Sequence, residues 1–168
     1  MRVIGGHLGF RGLAAALPWA ALLAAGPPPA FAAGVFANFP GQWTGNGDIA
    51  LSDGSRDRIK CKASYSTSPG GEKLNINVNC ASDSYRVNII ANVVAQGSEF
   101  SGTWRETTRQ VSGDVTGHVP GAGKYQASLE GTGFGIEIAA TSDGRQQLID
   151  IVSQGTDVKS VKIVLRKT

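Results

Sequence analysis

Two alternating segments with one cysteine each constrain this chain more than any other feature. Apolar and polar side chains alternate from Arg58 to Tyr65 and again from Leu74 to Cys80. A period of two is typical of β-strands that bury one face and leave the other in water. The connector from Ser66 to Lys73 contains Pro69 and two glycines, which favour a turn. We therefore predict a β-hairpin.

The hairpin register brings the only two cysteines together. A turn centred between Gly70 and Gly71 gives three inward pairs: Cys61 with Cys80, Ala63 with Val78, and Tyr65 with Ile76. Directly opposed residues of an antiparallel pair lie roughly 4.5–5.5 Å apart at Cα, which suits a disulfide. We predict a Cys61–Cys80 disulfide; the alternatives are two buried thiols or a metal held by this pair without a histidine cluster.

The first residues predict an export signal. Arg2 and Arg11 give a basic start, Leu13 to Ala25 is a short apolar stretch, and an A-x-A cleavage motif ends at Ala32. We predict a signal peptide over residues 1–32, cleaved near Ala32, and a periplasmic or secreted protein, which agrees with a disulfide. The apolar stretch is too short to span a bilayer, and no later segment is expected to cross one as a helix.

Charge and length bound the remaining chain. Sixteen basic and thirteen acidic side chains give a net charge of +3, and removal of Arg2 and Arg11 lowers it to +1. A nucleic-acid binder would need a concentrated basic face, so no nucleic-acid partner is expected. Residues 33–168 suit one domain with its own core.

That domain is predicted to be all-β. About ten short alternating segments are joined by Gly-, Asp- and Ser-rich turns, and after residue 33 proline occurs only at segment junctions. Sequential hairpins with one wet face favour an antiparallel up-and-down meander of about 8–10 strands closed into a barrel over residues 41–168. A β-sandwich is the alternative, because periodicity does not reveal closure.

Two finer predictions concern the start of this domain. A turn centred on Gly54 would pair Ile49 with Ile59 and, further along, Trp43 with Tyr65. Residues 33–40 form a short apolar arm, whose Phe36 and Phe39 are predicted to plug one end of the domain. The functional alternative is an arm that enters a partner's cleft.

The predicted inner face is rich in glycine and aromatic residues. Its glycines either leave room for a ligand or relieve crowding where strands coil sharply; they are Gly45, Gly47, Gly102, Gly113 and Gly117. Several aromatic side chains would line any cavity, although residues of this kind more often form plain core: Trp43, Tyr65, Tyr85, Phe100, Trp104, Tyr125 and Phe134.

Glu106 is the acidic residue placed most clearly inward. A buried carboxylate must find a partner or take up a proton. It could orient a polar ligand, pair with an arginine at the rim, or reflect a slip at the strand end. Gln147 has the same inward placement.

The sequence gives little support for catalysis. His118 is the only histidine after the leader, and the alternation places it outside. Neither a G-x-S-x-G elbow nor an H-E-x-x-H motif occurs. Four aspartates lie in predicted turns or at strand ends, where short acidic side chains serve as turn formers: Asp48, Asp53, Asp57 and Asp143. We predict no enzyme, no metal site and no cofactor.

Gly41-Gln42-Trp43 at the first strand resembles the G-x-W motif of lipocalins and other calycins. The same spacing occurs again at Gly102-Thr103-Trp104. This resemblance implies a calycin-like barrel in which Trp43 closes one end. With the two cysteines, the pattern resembles small exported proteins of alphaproteobacteria. It is more distantly similar to periplasmic metalloprotease inhibitors, in which an N-terminal arm blocks the protease; residues 33–40 would be that arm.

Two functions from different classes follow as expectations. The first is a binding module that holds a small apolar or amphipathic ligand inside the barrel, suggested by the inward glycines and aromatic residues. The second is an inhibitor or interaction protein that meets an envelope protein through its arm or its surface. An enzyme is the third and least supported class.

Overall fold

A computed structural model describes residues 34–168, so the predicted leader and its cleavage near Ala32 lie outside the described residues. It consists of ten β-strands: β1 (Gly41–Leu51), β2 (Arg56–Thr67), β3 (Lys73–Ala81), β4 (Arg86–Gln96), β5 (Glu99–Glu106), β6 (Val111–Gly121), β7 (Lys124–Gly131), β8 (Phe134–Ser142), β9 (Gln146–Gln154) and β10 (Val158–Lys167). Within this part of the chain, no helix is long and apolar enough to cross a membrane.

The ten strands close into a single barrel. Each strand pairs antiparallel with the next in sequence, and β1 also pairs with β10. The predicted all-β meander and its closure are therefore confirmed, and the sandwich alternative is excluded. Closure removes the free edges that a sheet protein must otherwise protect.

The hairpin of β2 and β3 has the predicted register. Cys61 lies opposite Cys80, and the two neighbouring inward pairs follow as expected. The cysteines form a disulfide with their Cα atoms 4.1 Å apart. Alternation and turn position agreed on one register because each apolar residue there needed an apolar partner.

The predicted register of β1 against β2 is wrong by two residues. Ile59 lies opposite Gly47, not Ile49, and Trp43 lies opposite Ala63, not Tyr65. The cause is the turn, in which Asp53 Oδ1 accepts hydrogen bonds from the backbone N–H and the hydroxyl of Ser55. This Asx-type turn moves the centre of the hairpin from Gly54 to Asp53. A shift of two keeps every side chain on its predicted face.

The inward glycines mark places where neighbouring strands approach closely. A Cβ atom added to any of the five would collide with a backbone carbonyl of the next strand: Gly45 with Val164, Gly47 with Lys162, Gly102 with Asn92, Gly113 with Glu130, and Gly117 with Gln126. These contacts support the second interpretation, that glycine permits sharp coiling of the sheet. The glycines do not by themselves create room for a ligand.

The apolar arm closes one end of the barrel, as predicted. Phe36 is 2 % exposed and Phe39 is also buried. The ring of Phe36 stacks on Tyr125 and meets Phe100 edge-on, with centroids 6.3 and 5.7 Å away. The arm is held by its backbone as well, because the amide of Phe36 donates to the carbonyl of Gly71. We call this end the plugged end.

Candidate ligand-binding site

The predicted aromatic residues divide between the two ends of the barrel. Tyr65, Phe100 and Tyr125 are buried against the arm at the plugged end, where Phe39 meets Tyr65 and Tyr125 edge-on at 5.3 and 4.8 Å. Burial raises the pKa of both tyrosines. Their rings pack against the phenylalanines of the arm. A ligand inside the barrel would therefore contact them only at its closed end.

Trp43 belongs to the same closed end of the barrel. Its side chain is fully buried, and its indole Nε1 donates to the carbonyl oxygen of Phe39 at 2.8 Å. The Nζ atom of Lys167 lies 5.5 Å from the ring centroid, in cation–π contact. Trp43 therefore closes one end of the barrel, the packing role that the calycin resemblance implies.

The remaining predicted aromatic residues lie away from the plug. Trp104 is buried and donates from Nε1 to the carbonyl of Asp114 at 3.1 Å, and Phe134 packs on it edge-on at 6.0 Å. Phe134 and Tyr85 are only partly buried. These two rings lie toward the end opposite the plug, where each keeps part of its surface exposed.

Glu106 is buried at the end of β5 and serves the local backbone. Its carboxylate accepts hydrogen bonds from the N–H groups of Asn88, Thr108 and Arg109 at 2.6–3.0 Å. The Arg109 guanidinium lies 3.9 Å away. Burial alone would raise the pKa of Glu106, but the backbone donors outweigh it and lower the pKa. The carboxylate is thus an ionised cap of the β5–β6 turn, with an arginine at the rim.

Gln147 is the second polar residue that the sequence placed inside. It is 1 % exposed, and its Nε2 donates to the hydroxyl of Ser142 at 3.5 Å. Its Oε1 atom is buried and receives no hydrogen bond from the described residues. Ser142 in turn donates to the carbonyl of Asn38 in the arm, so this polar pair belongs to the plugged end.

Inward aliphatic side chains of β8 and β9 keep part of their surface accessible to water. Five inward aliphatic side chains there are only partly buried: Ile136, Ile138, Ala140, Ile149 and Ile151. Their sequence neighbours point outward and are exposed. The surface that the five leave to water therefore lies on the inner side of the sheet.

The inner face of β2 and the adjacent part of β1 is more fully buried. Ile49, Ile59, Cys61 and Ala63, on β1 and β2, are buried. Burial of the inward side chains is thus uneven: it is most complete on β2, and it is partial along β8 and β9 and at Ile76, Val78 and Ile89 on β3 and β4. The sequence signal for the wall of β8 and β9 was present as an alternating Ile/Ala pattern, but it is the same pattern that a filled core would show.

The other ionisable groups flagged by the sequence serve turns or the outer face. Asp143 Oδ1 accepts from the N–H groups of Arg145 and Gln146, which lowers its pKa. His118 is exposed on β6, opposite Glu99 and Gln126. Over residues 34–168, no group of three or more His, Cys, Asp or Glu side chains could hold a metal ion.

A closed antiparallel meander of ten strands with one plugged end is consistent with a calycin-like barrel. The structure of Rv2717c from M. tuberculosis matches with a TM-score of 0.62 and 9 % identity, over 79 % of this chain and 94 % of that chain. The S-type phycobiliprotein lyase CPES from Guillardia theta matches with a TM-score of 0.62 and 5 % identity, over 79 % and 90 %. No protein-family model and no curated protein matches the sequence. Identities this low establish the fold alone.

Proposed function

We propose that this protein is an exported binding module that takes a small apolar or amphipathic ligand against the inner wall of β8 and β9. The observation that carries the proposal is the partial exposure of inward aliphatic side chains such as Ile138 and Ile149. Apolar surface that water reaches inside a concave site gains free energy when a ligand covers it. The likeness to the phycobiliprotein lyase CPES is compatible with a ligand-binding barrel.

The chemistry available at this wall favours binding over catalysis. The wall is aliphatic, with Phe134 and Tyr85 as the partly buried aromatic residues toward the open end. An amphipathic ligand would place its apolar part on β8 and β9 and keep its polar part near that end. The disulfide agrees with an oxidising, exported compartment as the place of work.

A pair of substitutions on β8 tests the proposal. Ala140→Phe adds a ring on the inner face opposite Ile149, whereas Ala139→Phe adds the same ring on the exposed outer face. We expect fluorescent apolar probes and fatty acids of graded length to bind the native protein and the Ala139 variant. The Ala140 variant should bind at least about tenfold more weakly, since a phenyl ring fills the site. Equal binding by both variants, or no binding by the native protein, would reject an interior site.

The alternative is a protein that interacts with an envelope partner. The arm is a poor candidate for this contact, because Phe36 and Phe39 are buried in the barrel and would have to leave it. The outer surface is favoured instead by Leu148 and Val164, which face each other on β9 and β10 and are 45 % and 40 % exposed. Leu148→Lys with Val164→Lys should abolish capture of a purified envelope partner while ligand binding inside the barrel is kept.

A further inference from the structure

A second concave site lies on the outside of the barrel. A recess of about 610 Å³ is formed over β1 to β4 and bordered by Thr108 in the turn after β5. Its floor includes the backbone around the disulfide, and its sides carry Lys60, Lys62 and Arg86. We call it the outer recess. It lies on the outward face of the sheet, whereas the aliphatic wall of β8 and β9 faces the barrel interior.

The strand register explains both the shape of the outer recess and its positive charge. Lys60 lies directly opposite Ala81 on β3, and Ala81 lies opposite Arg86 on β4. Neighbouring strands are about 4.8 Å apart, so the backbones of Lys60 and Arg86 are roughly 10 Å apart. The methyl group of Ala81 between them leaves space at the centre of the row. Two cations therefore flank a gap that is wide enough for an oxyanion.

The adjacent row supplies hydrogen-bonding groups. Lys62 lies opposite Asn79, and Asn79 lies opposite Asn88. The Oδ1 atom of Asn88 is buried and receives no hydrogen bond from the described residues. Such an acceptor gains from a ligand that donates a hydrogen bond, for example from a hydroxyl group.

The outer recess carries a local charge that the chain as a whole does not. No acidic side chain lines it, and within residues 34–168 neither lysine nor Arg86 takes part in a salt bridge. Three uncompensated cations around one concavity produce a positive potential that attracts anions. Among the described residues, the lining contains no aromatic ring on which a nucleobase could stack.

We propose that the outer recess binds a phosphate or carboxylate group carried on a hydroxylated ligand, with Lys60, Lys62 and Arg86 holding the charge. Ammonium and guanidinium groups form charge-assisted hydrogen bonds with such oxyanions. Asn79 and Asn88 meet the neighbouring hydroxyls. This site is independent of the apolar wall inside the barrel, and either can exist without the other.

The disulfide lies beneath the outer recess and stabilises its two central strands. Cys61 lies between Lys60 and Lys62 in sequence, and Cys80 lies between Asn79 and Ala81. The bond joins the two central strands of the outer recess at that point. It therefore fixes the register that places the lysines opposite the alanine and the asparagine.

Isothermal titration and amide-resolved NMR of the oxidised protein test the proposal with three probes: tripolyphosphate, citrate, and vesicles that contain phosphatidylglycerol. We expect binding that weakens with added salt and shifts amide signals of β1 to β4. The triple variant Lys60→Gln, Lys62→Gln, Arg86→Gln should bind at least about tenfold more weakly. A soluble ligand is indicated if the free anions bind, and a lipid headgroup if only the vesicles bind; both outcomes support the site.

The matched control removes the same charge elsewhere. Lys73→Gln, Lys124→Gln, Lys159→Gln lowers the net charge by three at exposed positions outside the outer recess. This control should keep affinity within about threefold of the native protein, because only long-range attraction is reduced. Absence of binding by all three probes, or equal weakening in both triple variants, would overturn the proposal. Circular dichroism of each variant establishes that the barrel is folded.

Discussion

The hydroxyl of Tyr125 donates a 2.7 Å hydrogen bond to the backbone carbonyl of Val35, ninety residues earlier in the chain. This bond joins β7 to the arm at the plugged end. Asn38 adds a second link of the same kind, since its side-chain amide donates to the carbonyl of Ser142 at the end of β8. The arm is therefore part of the folded domain, held by hydrogen bonds to strands far away in sequence.

Tyr125→Phe tests this link. The substitution keeps the ring between Phe36 and Phe39 but leaves the carbonyl of Val35 without its donor. We expect the free energy of unfolding to fall by about 1 kcal/mol, the usual net value of one hydrogen bond. Urea denaturation monitored by tryptophan fluorescence measures it. Tyr85→Phe at the other end is the control, and an equal loss there would show that the Val35 bond is not the cause.

Phe36→Ala tests the plug itself. Phe36 contacts three aromatic rings and is almost fully buried, so its removal leaves a cavity at the plugged end. We expect a loss of about 3–5 kcal/mol in the free energy of unfolding. Hydrogen exchange should show faster exchange at that end, where Gly71 loses a well-anchored partner. Native-like stability of the variant would contradict a structural role for the arm.

Gly102 and Gly135, on different strands, differ in the space available for an added Cβ atom. A Cβ atom at Gly102 would collide with the carbonyl of Asn92, whereas one at Gly135 would meet no atom within 4 Å. We expect Gly102→Ala to lower stability by about 1–3 kcal/mol through overpacking. Gly135→Ala should leave it unchanged or raise it by up to about 1 kcal/mol. Thermal unfolding of the two variants gives the comparison, and similar melting temperatures would refute the steric argument.

Glu106 predicts a specific pH dependence. Its pKa is lower in the folded protein than in the unfolded chain, so its contribution is complete above about pH 5 and is lost as the pH falls through the folded pKa. Glu106→Gln places an amide N–H against the N–H of Arg109 and should cost about 1–2 kcal/mol at pH 7.

The difference between native protein and Glu106→Gln should shrink toward zero in acid. Unfolding free energies measured by urea titration between pH 3 and 7 reveal this trend. Glu130→Gln, at an exposed position on β7, makes the same change of charge and should cost less than about 0.5 kcal/mol at every pH. A constant difference across the range for Glu106→Gln would contradict the capping role.

Alternation along the strands predicted the parts of this fold that depend on which face a residue occupies. The disulfide and the plug made by Phe36 and Phe39 follow from the preference of apolar residues for burial, whereas the inward placement of Glu106 and Gln147 follows from the period of two set by their neighbours. The β1–β2 register did not follow, because a slip of two residues buries the same faces. Hydrogen bonding by Asp53 in the turn decided it, and an aspartate next to a glycine is compatible with several turns.

The positions of the accessible wall of β8 and β9 and of the outer recess could not be predicted from the sequence, for a related reason. Partly covered and fully covered isoleucines follow the same pattern, so the accessible wall of β8 and β9 depends on the volume enclosed by ten strands. The outer recess depends on Ala81 standing between Lys60 and Arg86, residues that are distant in sequence. Only the assembled register places a small side chain between two cations.

The pairing of β1 with β10 also governs when the barrel can be completed. The amide of Thr168, directly after β10, donates to the carbonyl of Gln42 at 3.0 Å, which adds a further link between β10 and β1. Until β10 has been synthesised, β1 and β9 present two unpaired hydrogen-bonding edges to any neighbouring chain. Loss of β10 would thus turn the sheet that is closed over residues 41–167 into an open sheet with two unpaired edges.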